Sequence, residues 1–76
     1  MGSRVPVEYK SYLEEILTIE LRKEEPHITR VSISSDGEFA IYNVKDRYTV
    51  RKLSPTAKEF LRSGNSERLK EAPLFL

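Results

Sequence analysis

Cysteine and tryptophan are both absent from this chain, and histidine occurs once. Without cysteine there is no disulfide to supplement the core, no thiolate chemistry and no cysteine-type zinc site. The three glycines, Gly2, Gly37 and Gly64, lie too far apart to form a phosphate-cradling loop. No apolar stretch approaches the ~20 residues of a membrane span, and no apolar signal-peptide core opens the chain. Charge of one sign is missing too. Thirteen Lys and Arg face twelve Asp and Glu, a balance of +1 that predicts no strong non-specific attraction to nucleic acid or membrane. These absences point to a soluble, cytoplasmic protein without metal or cofactor.

What remains is 76 residues, enough for one small domain. A domain of this size buries only about 60% of the surface its unfolded chain exposes. The expected unit is residues 1–76, with a flexible N-terminus at 1–6 and an apolar tail at 73–76. The charge is unevenly placed: net −2 over residues 1–25, +2 over 26–53 and +1 over 54–76.

Val7 to Glu25 has the periodicity of a helix, entered after Pro6 and ended by Pro26. Tyr9, Leu13, Ile16, Leu17 and Leu21 form its buried face, and Tyr12 and Ile19 widen that face. The widening predicts contact of Tyr12 and Ile19 with the C-terminal helix, or a self-association surface giving a homodimer in place of a monomer. Glu20, near the helix end, is expected to reach water.

Three β-type runs follow, Ile28–Ser34, Phe39–Val44 and Tyr48–Leu53. A three-residue loop Ser35-Asp36-Gly37, a type I turn closed by a left-handed glycine, places Ile33 opposite Phe39 and Val31 opposite Ile41. A two-residue Asp36-Gly37 turn places Ile33 opposite Ala40 and Val31 opposite Tyr42. The difference is decisive, because a one-residue slip moves every side chain to the other face. A two-residue Lys45-Asp46 loop, poor turn chemistry, pairs Ile41 with Val50 and Asn43 with Tyr48. The three-residue first loop gathers Val31, Ile33, Phe39, Ile41, Tyr48 and Val50 on one face, and that agreement favours it.

Ser54-Pro55 reads as an N-cap and first helical residue, Ala57, Phe60 and Leu61 as a short apolar stripe, and Gly64 as a left-handed stop. Asn65 or Ser66 is placed to cap a last turn through Ala72. Leu74-Phe75-Leu76 is expected to fold back on the core, with a short docking motif as the alternative. The fold class is therefore α+β, in the order α-β-β-β-α. A three-stranded antiparallel meander has both helices packed on one face.

No catalytic signature emerges. His27 stands alone beside Pro26, and no serine has a base and an orienting group proposed for it. Glu14-Glu15 and Glu24-Glu25 are adjacent on a helix, about 100° apart, and read as solvated surface. The expected open sheet face supplies the functional lead. It carries Arg30, Tyr42, Arg47 and Arg51, with Arg30 opposite Tyr42, Ala40 opposite Arg51 and Val44 opposite Arg47. Arginines around a tyrosine suit a protein partner. They also suit nucleic acid, phosphates pairing with guanidinium groups and a base stacking on the ring, with Lys45 as a further contact. Equally, they stabilise a wet sheet face by cation–π contact.

The α-β-β-β-α order within about 70 residues is similar to that of double-stranded-RNA-binding domains, a resemblance of topology that does not carry function. The second helix opens Ser54-Pro55-Thr56-Ala57-Lys58, with a single lysine where that family has a basic cluster. The first inter-strand loop, Ser35-Asp36-Gly37-Glu38, lacks its Pro-x-His element. No residue role is transferred. The expectation from the residues is a small non-enzymatic regulator, adaptor or inhibitor that binds a protein partner. Nucleic-acid binding is the alternative.

Overall fold

The computed structural model describes residues 5–76. Helix α1 spans Val7–Arg22, strands β1, β2 and β3 span Ser32–Ile33, Phe39–Val44 and Arg47–Lys52, and helix α2 spans Pro55–Ser63. A short 3-10 turn follows at Glu67–Lys70. The strands form an antiparallel meander in chain order, and both helices cover one side of it, as the sequence predicts. The expected flexible N-terminus lies outside the described residues except for Val5 and Pro6. Val5 packs against the core and donates its N–H to the Ser35 carbonyl at 3.4 Å.

Leu13 and Leu17 of α1 are fully buried, with Tyr9, Ile16 and Leu21 packed around them. The helix ends at Arg22, three residues before the predicted limit, and Glu25 closes a turn through its N–H to the Leu21 carbonyl. Glu20 is solvent-exposed and paired with Lys23 at 3.2 Å. Helix α2 follows its sequence signals closely. The Ser54 hydroxyl accepts the Ala57 N–H at 3.2 Å, Pro55 opens the helix, and Gly64 ends it at φ 76°. A side chain at Gly64 would also strike the Tyr9 ring, since an added Cβ would lie 2.6 Å from its Cζ. The stripe Ala57, Phe60 and Leu61 is buried, and the Tyr9 and Tyr12 rings meet Phe60 at centroid distances of 5.7 and 5.5 Å.

The tail folds back. Ser54 donates its N–H to the Leu74 carbonyl and its hydroxyl to the Pro73 carbonyl, at 2.9 and 2.6 Å. Phe75 bridges to Leu53, and the Leu76 N–H reaches the Lys52 carbonyl at 3.1 Å. Leu74 and Phe75 pack on the core, while Leu76 stays exposed.

The second hairpin has the predicted register, Ile41 opposite Val50 and Asn43 opposite Tyr48. Its two loop residues both lie in the left-handed region, Lys45 at φ 47° and Asp46 at φ 69°. This is the I′ geometry that matches strand twist, adopted here without the usual Asn-Gly.

The first hairpin departs from expectation. Ile33 pairs with Ala40 and Ser32 with Ile41, the register of the two-residue alternative. Ser34 and Phe39 close the ladder, the Ser34 N–H donating to the Phe39 carbonyl at 2.9 Å, so four residues, Ser35–Glu38, make the connection. Side chains hold this loop. The Ser34 hydroxyl donates to Asp36 at 2.7 Å and accepts the N–H groups of Glu38 and Phe39, and Asp36 also accepts the Glu38 N–H. The Gly37 N–H closes a turn to the Ser34 carbonyl, and Gly37, at φ 74°, sits against Val5 and Leu61 where an added Cβ would clash. An even loop in place of an odd one inverts the faces. Val31, Ile33, Ala40 and Tyr42 point to the helices and are buried, while Phe39, Ile41, Tyr48 and Val50 lie on the uncovered side.

Strand β1 is also shorter than the predicted run. Before Ser32 the regular register is displaced: the Thr29 N–H donates to the Asn43 carbonyl, and the Thr29 hydroxyl accepts the Asn43 N–H, both at 3.1 Å. The outward N–H groups of β1 go to α1. Val31 donates to the Thr18 hydroxyl and Ile33 to the Glu14 carboxylate, both at 2.9 Å. Glu14, expected to be solvated, thus caps a sheet edge, with Arg30 at 3.8 Å from its other oxygen.

Thr18 is 6% exposed, so Thr18→Val keeps the shape and strands a buried N–H at Val31. It should cost about 1–3 kcal/mol, read by urea unfolding. Asp36 supplies a pH test. The Ser34 hydroxyl first, then the Glu38 N–H, holds its carboxyl below the ordinary range. Its contribution is complete above the unfolded-state pKa and is lost as pH falls through the folded value. The urea midpoint of Asp36→Asn should therefore fall less steeply in acid than that of the parent.

Candidate interaction surface

Two surfaces meet at β3. The first is the uncovered sheet face. Ile41 and Val50 stand opposite each other, Tyr48 lies opposite Asn43, and Phe39 lies opposite Lys52. Ile41–Val50 is a non-hydrogen-bonded pair, where side chains approach most closely across strands. Tyr48 is 69% exposed and Val50 49%, with Phe39 and Ile41 half-buried beside them. Ser32 pairs with Ile41 on the far side of β2. Lys52 is the one charged strand position of this face, and Arg30 at the rim is paired with Glu14 at 3.8 Å. The result is an apolar strip across two strands with a cationic margin.

The second surface is a cleft of about 850 Å³ between α1, the end of β3 and the C-terminal segment. Ile16, Leu21, Leu69, Leu74 and Phe75 give it apolar walls. Glu20 of α1 and Glu24 in the turn after it line one side, and Arg51 and Lys70 line the opposite side. The Arg51 guanidinium lies 4.1 Å from the Phe75 ring centre, a cation–π contact that holds the arginine along the cleft wall.

The residues singled out in the sequence do not share one face. Tyr42 is 7% exposed and belongs to the core, so the expected face is the one the helices cover. Arg47 and Arg51 share that side with Tyr42, opposite Val44 and Ala40 as predicted, and are exposed. Arg30 is exposed and held by Glu14, away from Tyr42. Tyr12 touches Phe60 and lines the cleft, as the contact reading of the helix face expects, whereas Ile19 is 58% exposed. Phe39, Ile41, Tyr48 and Val50, which the sequence pattern places in the core, lie on the uncovered face. The signal that could have exposed them is Ser34-x-Asp36-Gly37, a side-chain-locked turn suited to a four-residue loop.

No protein-family model, curated protein or solved structure matches this chain. Among the described residues no helix is long and apolar enough to cross a membrane, and no group of three His, Asp or Glu side chains is placed to hold a metal ion.

The inverted faces predict opposite costs for two tyrosines. Tyr42→Ala should destabilise by about 3 kcal/mol or more, as large-to-small core changes do. Tyr48→Ala should stay within about 0.5–1 kcal/mol in the same urea titration.

Proposed function

We propose that this protein is a non-enzymatic interaction domain that binds a protein partner through the uncovered sheet face, acting as a regulator, adaptor or inhibitor in the cytoplasm. The observation that carries the reading is the strip Phe39, Ile41, Tyr48 and Val50, left in solvent although the domain is short of apolar material. Scattered apolar residues are ordinary on a surface, but a contiguous strip with a polar or charged rim is the usual form of an interaction site. Tyr48, at its turn end beside the central Ile41–Val50 pair, has the character of an anchor: large, rigid and able to offer a hydroxyl at the rim. The cationic margin favours a partner with carboxylates around an apolar centre. Binding would require no cofactor.

Nucleic-acid binding draws on the same face through Tyr48, Arg30 and Lys52, with Lys45 and Arg47 at the start of β3 and Arg51 near its end. The near-neutral total charge supports it less well than a protein partner.

The test pairs capture with titration. The double variant Tyr48→Ser, Val50→Ser should keep its urea midpoint near the parent value. Loss of one anchor of this kind costs about 2 kcal/mol, about 30-fold in affinity, so a protein retained by the parent should be lost by the variant. Equal retention by both would reject the face as the site. Salt-sensitive binding of a short RNA or DNA duplex, absent in the variant, would move the assignment to nucleic acid.

A further inference from the structure

We infer that the outer edge of β3 takes an extended segment of the partner protein, alternating acidic and apolar residues, as a fourth strand of the sheet. This rests on the reading of a protein partner and adds the form that the partner takes. The two edges of the sheet are treated differently. At β1 the outward N–H groups of Val31 and Ile33 are taken by Thr18 and Glu14 of α1. At β3, among the described residues, the edge is closed at one end, where the Lys52 carbonyl accepts the Leu76 N–H and the Leu53–Phe75 bridge follows. Because hydrogen-bonding direction alternates along a strand, the outward Lys52 carbonyl places those of Val50 and Tyr48 outward as well. No described residue pairs with the backbone of Val50 or Tyr48 on that side. The Leu76–Lys52 bond and the Leu53–Phe75 bridge thus show this edge pairing antiparallel.

Side chains along this stretch state what the added strand should carry. On the helix side stand Arg47, Thr49 and Arg51, and Arg51 is also a wall of the cleft. On the uncovered side stand Tyr48 and Val50. A neighbouring strand therefore sets alternate residues against arginines and the others against an apolar strip. Carboxylates and aliphatic side chains in alternation satisfy both. Asp46 is the one carboxylate from Lys45 to Lys52, against Lys45, Arg47, Arg51 and Lys52. That excess of cations disfavours pairing of β3 with a second copy of itself. Charged residues on an edge also serve to deter pairing. Here the residues with outward backbone are Tyr48 and Val50, strong strand formers with no proline or bulge between them.

The probe is a short synthetic peptide alternating valine and glutamate, titrated into isotopically labelled protein at low salt. Controls are a valine–lysine peptide and the valine–glutamate peptide N-methylated on alternate residues, one version for each backbone edge. The inference expects slowed exchange of the Tyr48 and Val50 amide protons, no binding by the lysine peptide, and loss of binding with one of the two methylated versions. Val50→Pro removes an outward N–H without touching the β2 ladder, and should abolish binding while β2–β3 contacts persist. Binding that shifts Phe39 and Ile41 but survives both methylation patterns would overturn the edge and leave the face reading standing. Absence of binding by every peptide would make the charged edge a deterrent only. A twice-monomer mass by light scattering that Val50→Pro removes would give the edge to a second copy.

Discussion

The Ser34 hydroxyl, shared between the Asp36 carboxylate and the N–H groups of Glu38 and Phe39, sets the parity of the first hairpin. Through parity it decides which residues of the sheet meet the helices. With four residues between Ser34 and Phe39, Ala40 and Tyr42 turn inward beside Val31 and Ile33. The second hairpin carries that assignment to β3, because its two-residue turn preserves the alternation. A change of one residue in the first loop would send Phe39, Ile41, Tyr48 and Val50 under the helices.

That outcome runs against the size of the apolar side chains alone. Where the outward set has Phe39, the inward set has Ala40, fully buried like Ala57 of α2. Small residues on facing elements allow close approach, and the larger Tyr42, Leu13, Leu17 and Phe60 fill the remaining space. Packing density rewards shape as well as hydrophobicity. Exposure of the other set is the consequence, and it supplies the functional argument. At the sheet edges, α1 seals β1 with two side chains, and the tail seals the Lys52 end of β3.

Much of the fold was legible in the sequence because its signals are local. The Ser54 cap, Pro55, the Gly64 stop, the buried stripe of α2 and the periodicity of α1 each depend on a few neighbouring residues. The second hairpin register was legible from loop length alone, although Lys45 adopts left-handed backbone that lysine does not favour. The first hairpin was not legible in the same way. Both faces of Phe39–Val44 carry apolar residues, so alternation gives no direction, and the choice passed to a turn whose lock lies in side-chain hydrogen bonds. Glu14 and Thr18 were hidden for a related reason: they act on backbone groups 19 and 13 residues away. The candidate site inherited the error in parity. Its strand pairings Ala40–Arg51 and Val44–Arg47 held, while Tyr42 moved into the core and Tyr48 took its place in solvent.

The most direct measurement is the cross-strand Hα–Hα nuclear Overhauser effect from Ile33. Ile33 and Ala40 form a non-hydrogen-bonded pair, the position at which Hα atoms of antiparallel strands come closest. The account predicts a strong Ile33–Ala40 Hα contact. A strong Ile33–Phe39 Hα contact in its place would contradict it, returning Ile41 and Val50 to the core and Tyr42 to the surface.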